Sequence, residues 1–392
     1  MIIINYEKCT GCGACINACA VKAITPEQSQ EGFLYPSINS KLCVNCNMCD
    51  RVCPIDKNMS KVDQQGIFLA INKNNEDIEI SSSGGIFIAL AKQIIEQDGC
   101  VFGCAFDDQM VARHRIVQDT EELRLLCGSK YVQSDVGLSY RLVRETLNQG
   151  KQVLFSGTPC QIDGLRSFLG KEYSNLYLVD IICHGVSSPL LLSLHINWLE
   201  KRRHSKLKSM AFRSKQKGWG LYYYYSYLNG KNDFGESIQD AYFTDFLKGR
   251  NYRNCCYQCQ YANTNRVGDI TLGDFWGANN YFENIDISKG ASLVLVNTDK
   301  GNALFNSIMH GISLHSAKIE WAIKGNQNLE HPTKINPLRT NYYTEVFKGI
   351  NRWEMKQRYC KQSIKIKIYS IVPESLKSKW RIKKNGNNKP RD

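Results

Sequence analysis

The sequence predicts an α/β protein (α+β overall), with a mixed sheet at its centre, a small cysteine-rich domain ahead of it and a basic tail behind. Three observations lead there. Seventeen cysteines occur in 392 residues, and eight of them crowd the first 60. From about residue 61 to 340, short apolar runs alternate with segments of helical period, the pattern of a layered sheet-and-helix domain. After residue 340 the periodicity fades and basic side chains take over. The expected organisation is therefore 1–60, 61–340 and 341–392.

Composition narrows the class. Hydrophobic residues make up 43% and charged residues 22%, values of a folded chain rather than a disordered one. No stretch of about 18 apolar residues offers a membrane-spanning helix. The start, MIIINYEKC, lacks a basic n-region and a long apolar h-region, so no secretory signal is expected and the compartment reads as cytoplasmic. Cysteines in tight CxxC runs point to metal in a reducing compartment, not to a disulfide scaffold.

Each central element has its own signal. GIFLAIN at 66–72 reads as a strand, GGIFIALAKQIIEQ at 84–97 as a helix and GCVFGCAF at 99–106 as a strand. KQVLFSG then leads into TPCQIDGLRSFL, and NLYLVDIIC into SSPLLLSLHINWLE, two further strand-to-helix units. LYYYYSYL at 221–228 and ASLVLVNT at 291–298 read as strands.

The front segment holds an internal repeat. Cys9, Cys12, Cys15 and Cys19 share their spacing with Cys43, Cys46, Cys49 and Cys53. Three cysteines separated by two residues wrap one side of a four-iron cube, and the fourth ligand comes from the other run. One cluster is thus assigned to Cys9, Cys12, Cys15 and Cys53, and the other to Cys43, Cys46, Cys49 and Cys19. Pro54 follows Cys53 as the pattern asks, whereas Ala20 stands after Cys19. Zinc has no use for two interlocked runs of this kind. Over about 50 residues the segment resembles bacterial-type ferredoxin domains, which implies one-electron transfer.

Nine cysteines remain. Thr158 as N-cap and Pro159 as first helical residue put Cys160 in an opening helical turn, where the helix end favours a thiolate. Cys183 ends an apolar strand, so both residues are expected at the carboxyl ends of strands, where ligands gather. Cys256 and Cys259 form a CxxC pair. A third cluster on Cys160, Cys183, Cys256 and Cys259 follows as an expectation. The alternative leaves Cys160 and Cys183 as small core residues, and Cys255 is a possible substitute for Cys256. Cys100, Cys104, Cys127 and Cys360 read as structural.

The motifs SSGGIFIALA, GSKYVQSD, FSGTPCQIDGL, DIICHGVSSP, FRSKQKGWG and GDITLGDFWG occur in this order. With the cysteine-rich front they resemble the family of beta subunits of deazaflavin-coenzyme-reducing hydrogenases and formate dehydrogenases, relatives of 7-hydroxymethyl chlorophyll a reductase, over about residues 1–300. The resemblance implies an iron–sulfur flavoprotein oxidoreductase with FAD beside a 4Fe-4S cluster. It implies that Ser82, Ser83, Gly84 and Gly85, and Gly128, Ser129, Lys130 and Tyr131, form cofactor-binding loops. Small residues that open a helix leave N–H groups free to approach an anion. Lys130 is expected against a phosphate or the reduced flavin, and His184 as a proton or hydrogen-bond donor. Asp180, Asp269 and Asp274 are expected either to orient ligands or to form turns at strand ends, and Phe275 and Trp276 to shape the site, by stacking on a ring or from within the core.

The expected activity carries electrons from a ferredoxin-type donor through the clusters to the flavin, and on to an organic substrate or a deazaflavin. The alternative is an electron-transfer subunit that feeds a separate catalytic protein; chains of this layout also resemble proteins found with bacterial surface-polysaccharide genes. A redox-sensing or assembly protein is a third reading. No catalytic metal motif for hydrogen or formate is present in the chain. Its net charge of +13 sits mainly in residues 351–392, with thirteen basic and three acidic side chains. That tail suggests peripheral contact with an anionic membrane, and no nucleic-acid module accompanies it.

Overall fold

The computed structural model describes residues 5–55, 57, 64–349 and 354. Most of the predicted tail, with Cys360, lies outside the described residues, and so does any membrane contact through it. No helix among the described residues is long and apolar enough to cross a membrane.

The strands are β1 (Ile24–Gln28), β2 (Leu34–Ile38), β3 (Gly66–Asn72), β4 (Cys100–Phe106), β5 (Ala112–Val117), β6 (Val153–Gly157) and β7 (Leu176–Ile181). They continue with β8 (Leu207–Ala211), β9 (Tyr222–Tyr227), β10 (Asn232–Glu236), β11 (Ile270–Asp274), β12 (Ser292–Val296) and β13 (Ile312–Ser316). β1 and β2 form a hairpin, and β8–β10 form a small antiparallel sheet. The other eight make one mixed sheet in the order β13-β3-β12-β11-β7-β6-β4-β5. Its four middle strands β4, β6, β7 and β11 run parallel. Antiparallel strands extend it at both edges.

Sequence explains the layering. Ser292–Val296 is buried at every position, as a strand covered on both faces must be. The helix Ile86–Ile95 presents Ile86, Leu90, Ala91 and Ile94 as one stripe to one face of the sheet. The opposite face receives Tyr140, Val143 and Leu147 of the helix Ser139–Asn148, and Ile162, Leu165 and Phe168 of the helix Pro159–Leu169. Thr158 caps the latter, with its N–H 3.1 Å from Gln161 Oε1, and Gly170 closes it in the left-handed region.

The cysteine-rich segment has little core of its own. Cys12, Ala14 and Val52 pack into the same cluster as Tyr140, Ile162 and Leu165, and the Tyr140 hydroxyl donates to the Cys12 carbonyl at 2.7 Å. A Cβ on Gly13, at φ +81°, would come within 2.3 Å of Val136 Cγ2, so docking as well as backbone conformation requires glycine there.

The boundary expected at residue 340 falls inside a helix. Arg339–Phe347 buries Tyr342, Tyr343 and Val346 against Phe33, Tyr35 and the small sheet. Its Arg339 grips Glu31 of the β1–β2 hairpin through two bonds of 2.7 and 2.6 Å. The packed chain therefore runs through Phe347, because three buried apolar or aromatic side chains outweigh the surrounding basic character.

Candidate functional site

None of the sixteen described cysteines forms a disulfide. No three His, Cys, Asp or Glu side chains among the described residues converge as a single ion would require. The thiols border voids instead. Cys9, Cys12, Cys15 and Cys53 line a cavity of about 280 Å³, and Cys15 feels the charge of both Cys9 and Cys53. Burial, the largest influence, pushes the Cys15 thiol up to about 12. Metal binding must therefore displace a proton there. A void ringed by four thiols fits an inorganic cluster, which is larger than an ion.

Cys19, Cys43 and Cys49 gather around Ala23 and Ile24, and Cys19 Sγ accepts the Ala23 N–H at 3.2 Å. Cys46 of this run is exposed. The two groups adjoin, since Cys15 also feels Cys49.

The sheet places the second set. Cys160 follows β6, and Cys183 lies two residues beyond β7, both past the carboxyl ends of parallel strands. Cys183 feels Cys256, Cys160 and Cys259 in turn, so the four thiols share one neighbourhood. Thr158 Oγ1 lies 3.2 Å from Cys160 Sγ. The neighbouring Cys255 makes a hydrogen bond with Cys256 that holds the Cys256 thiol below its ordinary pKa and Cys255 well above it. Cys256 is thus the readier thiolate of that pair. Cys12 of the first set also feels Cys160 of the second, so the two sets meet at the junction between the cysteine-rich segment and the sheet.

Beside this junction lies a cavity of about 570 Å³, bordered by Ser82, Ser83, Gly85, Gly128–Tyr131, Gly157–Gln161, Cys183 and His184. That volume falls within the roughly 300–1,000 Å³ of small-molecule sites. Ser82 ties two of the loops together, its Oγ accepting the Ser129 N–H at 2.8 Å and lying 2.9 Å from Ser129 Oγ. Tyr131 stacks on Phe246 with ring centroids 4.4 Å apart.

Three expectations need correction. Gly84 does not border the cavity: its N–H donates to Ser292 Oγ at 2.9 Å, and a Cβ there would meet the Ala70 carbonyl at 2.5 Å. Its smallness serves packing on β3 and β12. Lys130 reaches the cavity wall, but its ammonium donates to the Leu125 and Cys127 carbonyls at 3.0 and 2.7 Å. Two of its three N–H groups therefore cap a short helix, and burial lowers its pKa. Asp180 and Asp269 are held inside the protein. Asp180 pairs with Arg266 at 2.7 Å, and Asp269 accepts from the Leu178 N–H and the Thr298 hydroxyl at 2.8 Å each. Of the two roles open to the aromatic pair, Phe275 takes the core, where it is fully buried, whereas Trp276 borders the cavity. His184 does border the cavity, where its enclosed position lowers its pKa against the opposing pull of Asp274.

Three residues at or next to the wall escaped the sequence reading: Arg213, His114 and Trp219. Arg213 binds Asp274 and also donates to the Ser82 carbonyl at 3.1 Å. Trp219 and Trp276 stack in parallel at 4.7 Å, with the Arg213 guanidinium 5.1 Å from the Trp276 ring. His114 lies on Phe155 at 5.2 Å and faces Ser156 O and Ser134 Oγ. The position of Arg213 inside FRSKQKGWG was the available signal. His114 offered only its place in the alternating strand ARHRIV.

Residues 150–321 match the family described as the C terminus of the coenzyme F420 hydrogenase/dehydrogenase beta subunit. Residues 8–57 match the 4Fe-4S dicluster domain. The F-subunit of the F(420)H(2) dehydrogenase of Methanosarcina mazei is 20% identical over 348 residues, spanning 83% of this chain and 92% of that protein. A solved chain of the F420-reducing nickel–iron hydrogenase complex from Methanosarcina barkeri aligns over 75% of this chain and 95% of its own length, with 16% identity and a TM-score of 0.46.

Proposed function

For a chain whose residues 8–57 match the 4Fe-4S dicluster domain and whose residues 150–321 match the C terminus of the coenzyme F420 hydrogenase/dehydrogenase beta subunit, we propose the function of an iron–sulfur flavoprotein oxidoreductase. It exchanges single electrons with a ferredoxin-type carrier at one end and a pair of electrons with an organic substrate or a deazaflavin at the other.

The observation that carries this reading is the order of the thiols. Exposed Cys46 marks the outer end of the path. The Cys15–Cys49 neighbourhood joins the two N-terminal sets, and the Cys12–Cys160 neighbourhood joins them to the set at the sheet. Cys160 and Cys183 then open onto the 570 Å³ cavity. Such a succession suits stepwise electron transfer, and a small-molecule cavity at its inner end suits chemistry more than simple relay.

A flavin in that cavity would supply the conversion between one-electron steps and hydride transfer. Ser82, Ser83 and the Gly128–Tyr131 loop would hold it by hydrogen bonds and by packing against Tyr131. Trp276 closes one wall against water. His184 stands on the border of the same space as the candidate proton donor.

One observation favours a division of labour with a second chain: the Methanosarcina mazei relative is itself named as a subunit. In that variant the electrons pass to or from a companion protein at the Cys46 end.

Anaerobic purification, with an iron count, flavin extraction and an absorbance spectrum, tests the reading. About twelve irons and one flavin per chain are expected if all three cysteine sets carry four-iron clusters. About eight irons without flavin would leave the dicluster domain alone and remove the proposed oxidoreductase. Oxidation of a reduced deazaflavin by the isolated chain with an artificial acceptor separates a self-contained enzyme from a relay subunit.

A further inference from the structure

We propose that Arg253 is an electrostatic bridge between the Cys9 set and the Cys256 set, a positioning residue that raises the reduction potentials of the clusters bound there. The inference rests on the proposed function, in that both sets are taken as cluster ligands.

The residue belongs to one set by its backbone and to the other by its side chain. Its carbonyl accepts the Cys256 N–H at 2.9 Å, inside the CCYQC turn, and its own N–H donates to the Val186 carbonyl at 3.0 Å. From there the side chain crosses the domain junction. Nε donates to the Cys9 carbonyl at 2.7 Å, and one terminal nitrogen donates to the Leu34 carbonyl at 2.9 Å and to Gln133 Oε1 at 3.3 Å. The other terminal nitrogen lies 3.7 Å from Cys9 Sγ. The guanidinium carbon stands 3.7 Å from the centroid of the Tyr35 ring.

Arg253 is 0% exposed. A guanidinium stays charged at any ordinary pH, and a charge buried without a counter-charge is costly. Among the described residues, the titratable groups that act on it most strongly are Cys9, Tyr35, Cys255 and Cys256, and none of these is a carboxylate. Neutral thiols would not balance the cation. Thiolates committed to iron would, because a four-iron cluster with four thiolates carries net negative charge. The arrangement makes electrostatic sense once both thiol sets are loaded.

The consequence is directional. A fixed cation favours the more negative, reduced form of a nearby cluster, and an N–H group aimed at a ligand sulfur acts the same way. One electron leaves one cluster and one arrives at the other, while Arg253 keeps its proton throughout. Both potentials are lifted together, which keeps the step between them small.

The test is an EPR-monitored redox titration of the full anaerobically purified chain, with iron counted in each sample. Arg253→Gln removes the charge. Gln133→Glu leaves the arginine in place and sets a carboxylate against it, so it remains informative if the first variant fails to fold. Lower midpoint potentials than wild type are expected in Gln133→Glu at full iron content, and in Arg253→Gln wherever clusters are retained. Wild-type potentials in iron-replete Gln133→Glu would overturn the proposal. So would loss of iron from Gln133→Glu, which would make the contact a structural post. Wild-type protein that binds no iron at the second set would instead remove the cluster reading on which the proposal stands.

Discussion

Arg213 and Asp274 face each other at the cavity wall, joined by two bonds of 2.6 and 3.1 Å, with side chains only 3% and 15% exposed. Removing one member of a buried pair leaves the other charge without its partner, at a cost of about 3–5 kcal/mol. Arg213→Met is therefore expected to lower the unfolding free energy by about 3 kcal/mol, the lower end because Asp274 retains some water. The loss should be partly recovered in Arg213→Met/Asp274→Leu, although Trp219 Nε1, 3.3 Å from Asp274 Oδ1, then loses its acceptor. Urea unfolding of the three proteins checks this; equal stability of both variants would show that the pair carries no coupling.

Cys160 is the residue at which the proposed third cluster can be told apart from the two of the dicluster domain. Cys160→Ala is expected to lower iron from about twelve to about eight per chain, while the spectrum of the N-terminal pair persists. Cys255→Ser should retain the full count, because Cys255 serves Cys256 as a hydrogen-bond partner. Iron unchanged in Cys160→Ala would remove that residue from the ligand set.

What the sequence disclosed, and what it hid, divides along the range of the interaction. Thr158 and Pro159 announced the helix Pro159–Leu169 because a cap is a local event. GIFLAIN announced β3 for the same reason. The partners of β3 were not legible: Phe68 pairs with Val294 and with Ser316, and nothing in a single strand encodes neighbours so distant in the chain. The repeated cysteine spacing marked the dicluster segment, yet not that Arg253 would cross from the CCYQC turn to Cys9. Arginines at the surface and in the core look alike in a sequence. Gly84 misled because a glycine spared by packing and a glycine spared for a ligand have the same letter. Helix Arg339–Phe347 was concealed by basic composition just beyond it, although Tyr342, Tyr343 and Val346 carried the signal.

Gly84 and Gly128 make a useful contrast. A Cβ at Gly84 meets backbone on two sides, 2.5 Å from Ala70 O and 2.7 Å from Ser292 N. Gly84→Ala should displace the Ser82–Gly85 loop, cost about 1–3 kcal/mol as overpacking does, and, under the proposed function, reduce bound flavin. Gly128 has φ +81° and no atom within 4 Å of its would-be Cβ. Gly128→Ala should therefore cost only the left-handed backbone penalty of about 1–2 kcal/mol. Melting temperature and flavin retention, measured together, distinguish the two. Equal flavin loss in both variants would count against the packing account of Gly84.

His114 gives the fold a dependence on pH with a definite sign. Burial holds its pKa down at about 4, against an ordinary value of 6.5, even though the Ser156 carbonyl beside it favours the proton. Between pH 6.5 and about 4 the unfolded chain takes up a proton that the folded chain refuses. Stability contributed by the neutral imidazole is thus complete above pH 6.5 and falls as the pH falls through that window, by about 3 kcal/mol in all. His114→Gln abolishes this titration while leaving an amide that can still donate toward Ser156. Urea unfolding at pH 7, 6, 5 and 4 should show wild type losing about 3 kcal/mol more than the variant across the series. Because acid acts on the thiols and carboxylates of both proteins alike, the difference between the two curves isolates His114, and parallel curves would mean that its ring is protonated in the folded state.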